Sequence, residues 1–583
     1  MVAVADTKLT DLSSRYQRPV LCVIERSARS TSLLILLSIV PAMIAFPFRT
    51  VDEENASFGL RCLETFHQSA ENNTSAAQNT EATWNSPLSV WLTSTLTDKM
   101  RFFHFDGAIL ISSSALAIFL ILTFQLVKSF AGNRVAFWSL VFLVTHPLVI
   151  RMAIQPASEA IGLLCSVLSL LLYLSHLRHS RKLLSYYVLF AGLAVGGVIL
   201  SSGLLSVLTI LLIVSLSQLA QRTTVDEQPT MRVSWMRLQT VGVLLLTAFA
   251  ISGWWVMKSA IHQGSAFWGD WMFGTSVITS EVGSQSITFH EAVVLKSVWV
   301  KFFALSGVLS GLFLVGAGSL SSRTFHRESK PKLVNSEVVF LFVWFGLAMS
   351  FWILAQTVPI SRNWVSSTSS VALAIPLTFF AGICIAEFTD RNLGLGWVVA
   401  VCEIGLLVAL ASPQGSIESY FYWSPVIVVS IVLLSYCAVW FCRHRFRLAK
   451  ILTVSAILTF PIFNISKSWE QIRTSDKDSN TLSDFHTALS KLSHVENILV
   501  SSSLTIPLPL KYSLRSRWPD ATWMTTNQSQ TSKPEYPPST LLIRWESFET
   551  KDVSGLQSLV RFQPVTDSVL YRHRELRAYF SGQ

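Results

Sequence analysis

Apolar runs of membrane-spanning length, separated by short polar stretches, recur along most of the chain. They stand near 31–48, 108–130, 136–154, 160–177, 183–200, 204–220, 238–257, 298–319, 337–358, 369–388, 394–411, 423–442 and 450–466. Crossing a hydrocarbon layer takes roughly 17–25 residues of helix, so these runs predict about thirteen transmembrane helices. Helix is the required form, because no water reaches the interior of the layer and each backbone group must be paired within its own segment. The fifth and sixth runs are short and are separated by Ser201-Ser202-Gly203. They read either as two helices or as one broken pair. The predicted fold is a polytopic α-helical membrane protein.

Three longer polar segments interrupt or follow this pattern: residues 49–106, rich in Asn, Ser and Thr, then 258–297, then 467–583. The last holds strand-like runs at 497–502 and 540–545 between turn-forming stretches such as Lys533-Pro534-Glu535-Tyr536-Pro537-Pro538, which predicts a small α/β domain. The expected organisation is a leader over 1–30, a membrane domain over 31–466 and a C-terminal domain over 467–583. The first apolar run, beginning near Thr31, follows a basic leader without an obvious small-residue cleavage site and reads as a retained signal anchor.

Basic residues orient the helices. One alternating set of short loops holds Lys8 to Arg29, Lys128 and Arg134, Arg178 to Lys182, Arg222 to Arg237, Arg323 to Lys332, Arg391, and Arg443 to Lys450. That set carries about 22 Lys and Arg against about 8 in the opposite short loops, which predicts that it is cytoplasmic. The N-terminus is then expected inside. An odd number of helices puts all three long polar segments outside, the C-terminal domain being extracytoplasmic.

Composition excludes the soluble alternatives. At ~150 residues per domain, a chain of this length would make about four soluble domains. Only 14% of its 583 residues are charged, while 51% are hydrophobic and the mean hydropathy is +0.47. So little charge cannot cover a water-facing surface, where ~25% is usual. The formal net charge of +10 is accounted for by the cytoplasmic loops, and nucleic-acid binding is not expected. Seven cysteines without a CxxC pair indicate neither a disulfide framework nor a zinc site. No GxxxxGK[ST] and no HExxH occurs, which argues against ATP hydrolysis and a membrane zinc protease. With the polar mass outside, where nucleotides are not supplied, a donor of transferable groups is expected to arrive on a lipid.

Candidate chemistry gathers at the predicted outer boundary. Val51-Asp52-Glu53-Glu54-Asn55-Ala56 directly follows the first apolar run. A carboxylate there is able to take a proton from an attacking hydroxyl beside a lipid-borne substrate. The alternative is a solvated acidic loop start. Glu159 opens the fourth run on the same side as Asp52, and an ionisable group at the edge of the bilayer is usually functional or paired. Arg151, eight residues earlier, is the pairing alternative. Arg362, in Pro359-Ile360-Ser361-Arg362-Asn363-Trp364, is a lone basic residue on the side where positive charge is scarce. Its guanidinium fork suits a phosphate oxygen, and an ordinary headgroup anchor is the competing reading. Pro87-Leu88-Ser89-Val90-Trp91 precedes the second helix, and Trp254-Trp255 with Gly264-Ser265-Ala266-Phe267-Trp268 marks a return to the outside. Both are candidate substrate surfaces, or else belong to an interfacial aromatic belt.

The order of these motifs resembles the GT-C glycosyltransferases that use polyprenyl-phosphate sugars, such as the protein O-mannosyltransferases and the aminoarabinose transferase of lipid A. An acidic pair after the first helix matches Asp52-Glu53, and a Pro-Leu-x-x-Trp motif matches Pro87 to Trp91. A proline-led helix ending in a second outer acid matches His146-Pro147 through Glu159. The Trp255 and Phe267-Trp268 stretch and the outer basic residue Arg362 complete the order, over about residues 31–390. Ser201-Ser202-Gly203 departs from it, since the family often carries Lys or Arg in that stretch. The resemblance implies inverting transfer of a sugar from a polyprenyl-phosphate donor to an extracytoplasmic acceptor. In that scheme Asp52 or Glu53 is the base, Glu159 positions acceptor or base, and Arg362 holds the phosphate. Pro87, Trp91, Trp255 and Trp268 line the substrate surface. No cofactor is expected, with a divalent metal as the open alternative. The partners implied are the lipid-linked donor and membrane lipid, in a bacterial inner membrane. A flippase of lipid-linked saccharide and a non-catalytic scaffold of the same fold are the competing readings.

Reporter fusions test the orientation. A periplasm-active reporter joined after Gln583 is expected to be active and the same reporter joined after Arg134 inactive; the reverse pattern refutes the charge argument.

Overall fold

The computed structural model of the chain describes residues 38–39, 88–93, 95, 107–154, 159–178, 184–222, 231–263, 333–357 and 367–391, and stretches between 489 and 581. Of the segment expected at 31–48 only residues 38 and 39, both helical, are described, and the segments expected at 298–319, 394–411, 423–442 and 450–466 lie outside the described residues. The remaining apolar runs are helical: α1 Gly107–Ala131, α2 Asn133–Val144, α3 Pro147–Ile154, α4 Glu159–Arg178, α5 Leu184–Ile199, α6 Gly203–Arg222, α7 Met231–Gln263, α8 Leu333–Thr357 and α9 Ser367–Arg391. By length and composition, the stretches Ile109–Ala131, Glu159–Leu177 and Gln239–Ile261 suffice to cross a membrane, and the other helices carry shorter apolar spans.

The run expected as one helix over 136–154 is two, α2 and α3, broken at His146-Pro147. Proline has no N–H to donate and its ring obstructs the preceding turn. The freed groups are satisfied locally, as a dry environment demands. The His146 carbonyl accepts from the N–H groups of Val149 and Ile150, and its Nδ1 accepts from Leu148 N–H at 3.3 Å. Thr145 Oγ1 donates to the Val141 carbonyl at 2.9 Å. Ser113 Oγ on α1 donates to the Ala153 carbonyl at 2.9 Å, pairing one of the acceptors left open at the end of α3.

Helix directions follow from the contacts. Ser166 on α4 shares a 2.7 Å hydroxyl–hydroxyl bond with Thr209 on α6, and Gly162 lies against Leu205, so α4 and α6 run parallel. Gly162 also meets Ser201 and Cys165 meets Gly197, so α5 runs antiparallel to α4. The fifth and sixth runs are therefore a tight helical hairpin through residues 200–202, and the broken-pair alternative falls.

Glycines let these helices approach closely. A Cβ on Gly192 of α5 would stand 2.8 Å from the Leu244 carbonyl oxygen and 2.8 Å from Thr247 Cβ on α7. A Cβ on Gly382 of α9 would collide with Ser139 Oγ and stand 2.7 Å from the Val135 carbonyl oxygen on α2. Lipid tails are as apolar as leucine, so packing contacts of this kind replace water exclusion as the force between helices. Phe130 near the end of α1 joins Phe340 in α8 and Phe379 at the middle of α9, the first two rings stacked at 5.4 Å. Leu189, Phe190 and Leu193 on α5 and Leu246 and Phe249 on α7 stay exposed, as lipid-facing side chains would.

Residues beyond 496 build a mixed sheet. Its strands are β1 Asn497–Ser501, β2 Thr522–Thr526, β3 Thr540–Glu546, β4 Phe562–Pro564, β5 Val569–Tyr571 and β6 Arg574–Ser581, with helix α10 Leu508–Arg517 between β1 and β2. The order is β2-β1-β3-β6-β4, with β5 also on β6; β1 is parallel to β2 and β3, and β6 is antiparallel to β3. Parallel β1 and β2 need a crossover, which α10 supplies. Its buried Leu510 and Leu514, one turn apart, mark the covered face, and Ile498, Leu541 and Ile543 are buried in the strands.

Gly192→Leu is expected to force α5 from α7 and destabilise the protein by about 1–3 kcal/mol, the usual range for overpacking. Thermal unfolding in detergent measures it; an unchanged Tm refutes the close contact.

Candidate active site at one end of the bundle

The alternation of helix directions sorts chemistry between two ends. Lys128, Arg134, Arg178, Arg222, Arg232 and Arg391 lie in the terminal turns at one end. Glu159 opens α4 at the other. The charge asymmetry read along the chain is thus an asymmetry between two ends of one bundle. The Glu159 end also carries the starts of α1, α6 and α9, the last turns of α3, α5, α7 and α8, and the turn at 200–202.

Glu159 is half-buried as the first residue of its helix. A carboxylate suits that position, because the first turn leaves N–H groups without intrahelical acceptors and carries the positive end of the helix dipole. The next two residues along its stripe, Gly162 and Ser166, touch α6, so Glu159 sits on the α6-facing side of α4. The Arg151 side chain is outside the described set, so its pairing with Glu159 stays an alternative.

Trp91 belongs to a short helical stretch at 88–93. Ser89, Val90 and Thr93 are buried there, whereas Trp91 is 62% exposed. Leu88 Cδ2 and Cys165 Sγ would both contact a side chain added at Gly197, at 3.4 and 2.9 Å. Leu88 is therefore seated where α4 and α5 meet, at the level of Cys165, less than two turns along α4 from Glu159. Trp255, expected in the substrate surface, is only 9% exposed, and the outward ring of the pair is Trp254 at 68%. Lys258 Nζ stands 5.1 Å from the centre of the Trp254 ring, a cation–π contact typical of a helix end at an interface.

Asp52, Glu53, Pro87, Trp268 and Arg362 lie outside the described residues. Arg362 falls in the connection between the end of α8 and the start of α9. Among the described residues, no group of three His, Cys, Asp or Glu side chains is arranged to hold a metal ion. Sequence reasoning missed the contact of Ser201 with Gly162 beside Glu159. Its signal, Ser201-Ser202-Gly203 between two apolar runs, was legible only as a break, between two helices or within a broken pair.

No family model matches the sequence, and no curated protein does. The fold itself has solved counterparts. ArnT from Cupriavidus metallidurans bound to undecaprenyl phosphate superposes with a TM-score of 0.54 at 13% identity, over 94% of this chain and 97% of that one. The same protein in the apo state gives a TM-score of 0.52 at 13% identity, again over 94% and 97%. The likeness shows that the chain has the GT-C membrane fold that the order of its motifs implied.

Glu159→Gln is expected to fold, losing about 0.3–1 kcal/mol of stability with the helix-terminal charge. Thermal unfolding in detergent checks it, and a loss of several kcal/mol would mean that Glu159 instead holds a buried ion pair.

Proposed function

We propose that the chain is an inverting glycosyltransferase that moves a sugar from a polyprenyl-phosphate donor to an extracytoplasmic lipid, glycan or protein acceptor. The observation that carries this reading is the fold likeness, over 94% of the chain, to an ArnT structure bound to undecaprenyl phosphate. The half-buried carboxylate of Glu159 at one end of the bundle agrees with it.

The acceptor hydroxyl attacks the anomeric carbon of the donor sugar from the face opposite the phosphate. A carbon–oxygen bond forms there as the bond to the phosphate oxygen breaks. Polyprenyl phosphate leaves with the electron pair, and the acceptor proton passes to the Asp52 carboxylate, or to Glu53 in its place. Glu159 orients the acceptor or the base. Arg362 neutralises the charge gathering on the departing phosphate. Pro87, Trp91 and Trp268 shape the surface on which the sugar rests, with the buried Trp255 packed beneath it. The polyprenyl tail stays among lipid tails throughout, so the reaction centre belongs at the bilayer boundary, in a bacterial inner membrane with the C-terminal domain outside. Holding acceptor and sugar in register removes several kcal/mol of barrier without a cofactor.

Purified protein and radiolabelled polyprenyl-phosphate sugars test the reading. Wild type is expected to release free polyprenyl phosphate, and Asp52→Asn to lose about a hundredfold or more in turnover at undiminished membrane abundance. Undiminished turnover in Asp52→Asn that is lost in Glu53→Gln moves the base to Glu53. Binding of lipid-linked sugar without release by wild type defeats the transferase reading in favour of a scaffold or a flippase.

A further inference from the structure

Glu159 occupies the least constrained position of its helix. Residues in a first turn have N–H groups without intrahelical acceptors, and helix ends fray. Tertiary contacts of the first two turns of α4 therefore set where that helix start lies, and two of them fall on the same stripe as Glu159. Glu159, Gly162 and Ser166 follow at i, i+3 and i+7, on one stripe of α4. Ser166 bonds Thr209, and Gly162 meets Leu205, both at the same offset of 43 residues. One turn further out, that register brings Glu159 level with Ser202, in the turn between α5 and α6.

The turn itself is stiff. Ser201 Oγ donates to the Gly197 carbonyl at 2.8 Å, Ser201 N–H donates to the Val198 carbonyl at 3.0 Å, and Ser202 N–H to the same carbonyl at 2.8 Å. Ser206 N–H donates to the Ser202 carbonyl at 3.0 Å, and Ser206 Oγ to the Gly203 carbonyl at 2.6 Å. Ser201 is buried. A Cβ on Gly162 would stand 3.1 Å from Ser201 Cβ and 3.4 Å from Leu205 Cδ2. Ser201 Cβ is bonded to the backbone of this pinned turn, so it has little freedom to give way. Gly162 is what allows the first turn of α4 to seat directly on it.

We infer that Ser201 and Gly162 are positioning residues: the α5–α6 turn, seated on Gly162, sets the height and direction at which Glu159 meets its substrate. The inference rests on the transferase reading for the identity of that substrate, and not for the contact itself. Displacing a reacting constellation by about 1 Å costs on the order of a hundredfold in rate, so a fixed seat matters more here than a strong one.

Two readouts test it on the full-length protein in detergent. The first is the rate at which a water-soluble carbodiimide with an amine modifies Glu159, read by mass spectrometry relative to Glu496, an exposed carboxylate just before β1. Gly162→Ala is expected to change that ratio by about threefold or more, and Ser201→Gly added to it to restore the wild-type ratio, as coupling between touching residues requires. The second is transfer: Gly162→Ala is expected to lose about tenfold in kcat at little-changed donor KM, and the double variant to recover it. An unchanged labelling ratio in Gly162→Ala overturns the inference, and so does a change that Ser201→Gly does not reverse. A wild type that consumes no donor, while the labelling pattern holds, removes the transferase reading and leaves the hold on Glu159 standing.

Discussion

The absence of water from a hydrocarbon layer governs this structure twice. Each backbone donor and acceptor must be paired within the chain, since an orphan in lipid costs several kcal/mol. The same absence withdraws the ordinary hydrophobic drive between helices, because an apolar side chain loses nothing by facing lipid. Local pairing answers the first demand, and close contact answers the second. At His146-Pro147 the backbone breaks, and His146 and Thr145 take up the freed groups. At Gly192 and Gly382 the helices come near enough for backbone and small side chains to touch. Several hydroxyls inside the bundle bond carbonyls one turn back, as those of Thr123 and Ser252 do, and those of Ser166 and Thr209 bond each other.

These rules decide where chemistry resides. A charge deep in the layer is costly, so ionisable groups collect at helix ends. Antiparallel packing then turns a one-dimensional alternation of loops into two chemically different ends, one basic and one bearing Glu159. A carboxylate at that end stands where a half-buried helix start can keep its charge. The close-packed bundle beneath, with Ser201 against Gly162 and Leu88 against Gly197, is what gives such an exposed boundary a defined shape.

Much of this was legible in advance. The runs at 108–130, 160–177, 183–200, 204–220, 337–358 and 369–388 appear as helices within a few residues, because length and apolarity alone specify a span. The strand-like runs at 497–502 and 540–545 coincide with β1 and β3, whose β-branched and apolar residues favour a pleated, half-buried surface. Elsewhere local pattern was insufficient. The run at 136–154 reads as one helix, since hydropathy does not register a missing N–H, yet proline divides it. The run at 238–257 extends to Gln263, because amphipathic residues past the apolar core continue the helix beyond the window that hydropathy detects. Trp254 and Trp255 are adjacent and alike in sequence, and only their angular positions on α7 turn one outward and bury the other.

By itself, then, the sequence determined that the chain is a stack of membrane helices, where most of the described ones begin and end, and in which order its motifs follow along the chain. These are properties of single segments, governed by length, apolarity and charge. The tertiary structure decided whether Ser201-Ser202-Gly203 closes a hairpin or interrupts a helix, which glycines serve as contacts, and what lies beside Glu159. Those depend on the register between segments far apart in the chain, where a single Cβ is enough to push neighbouring helices away from each other, and no pattern within one segment encodes them.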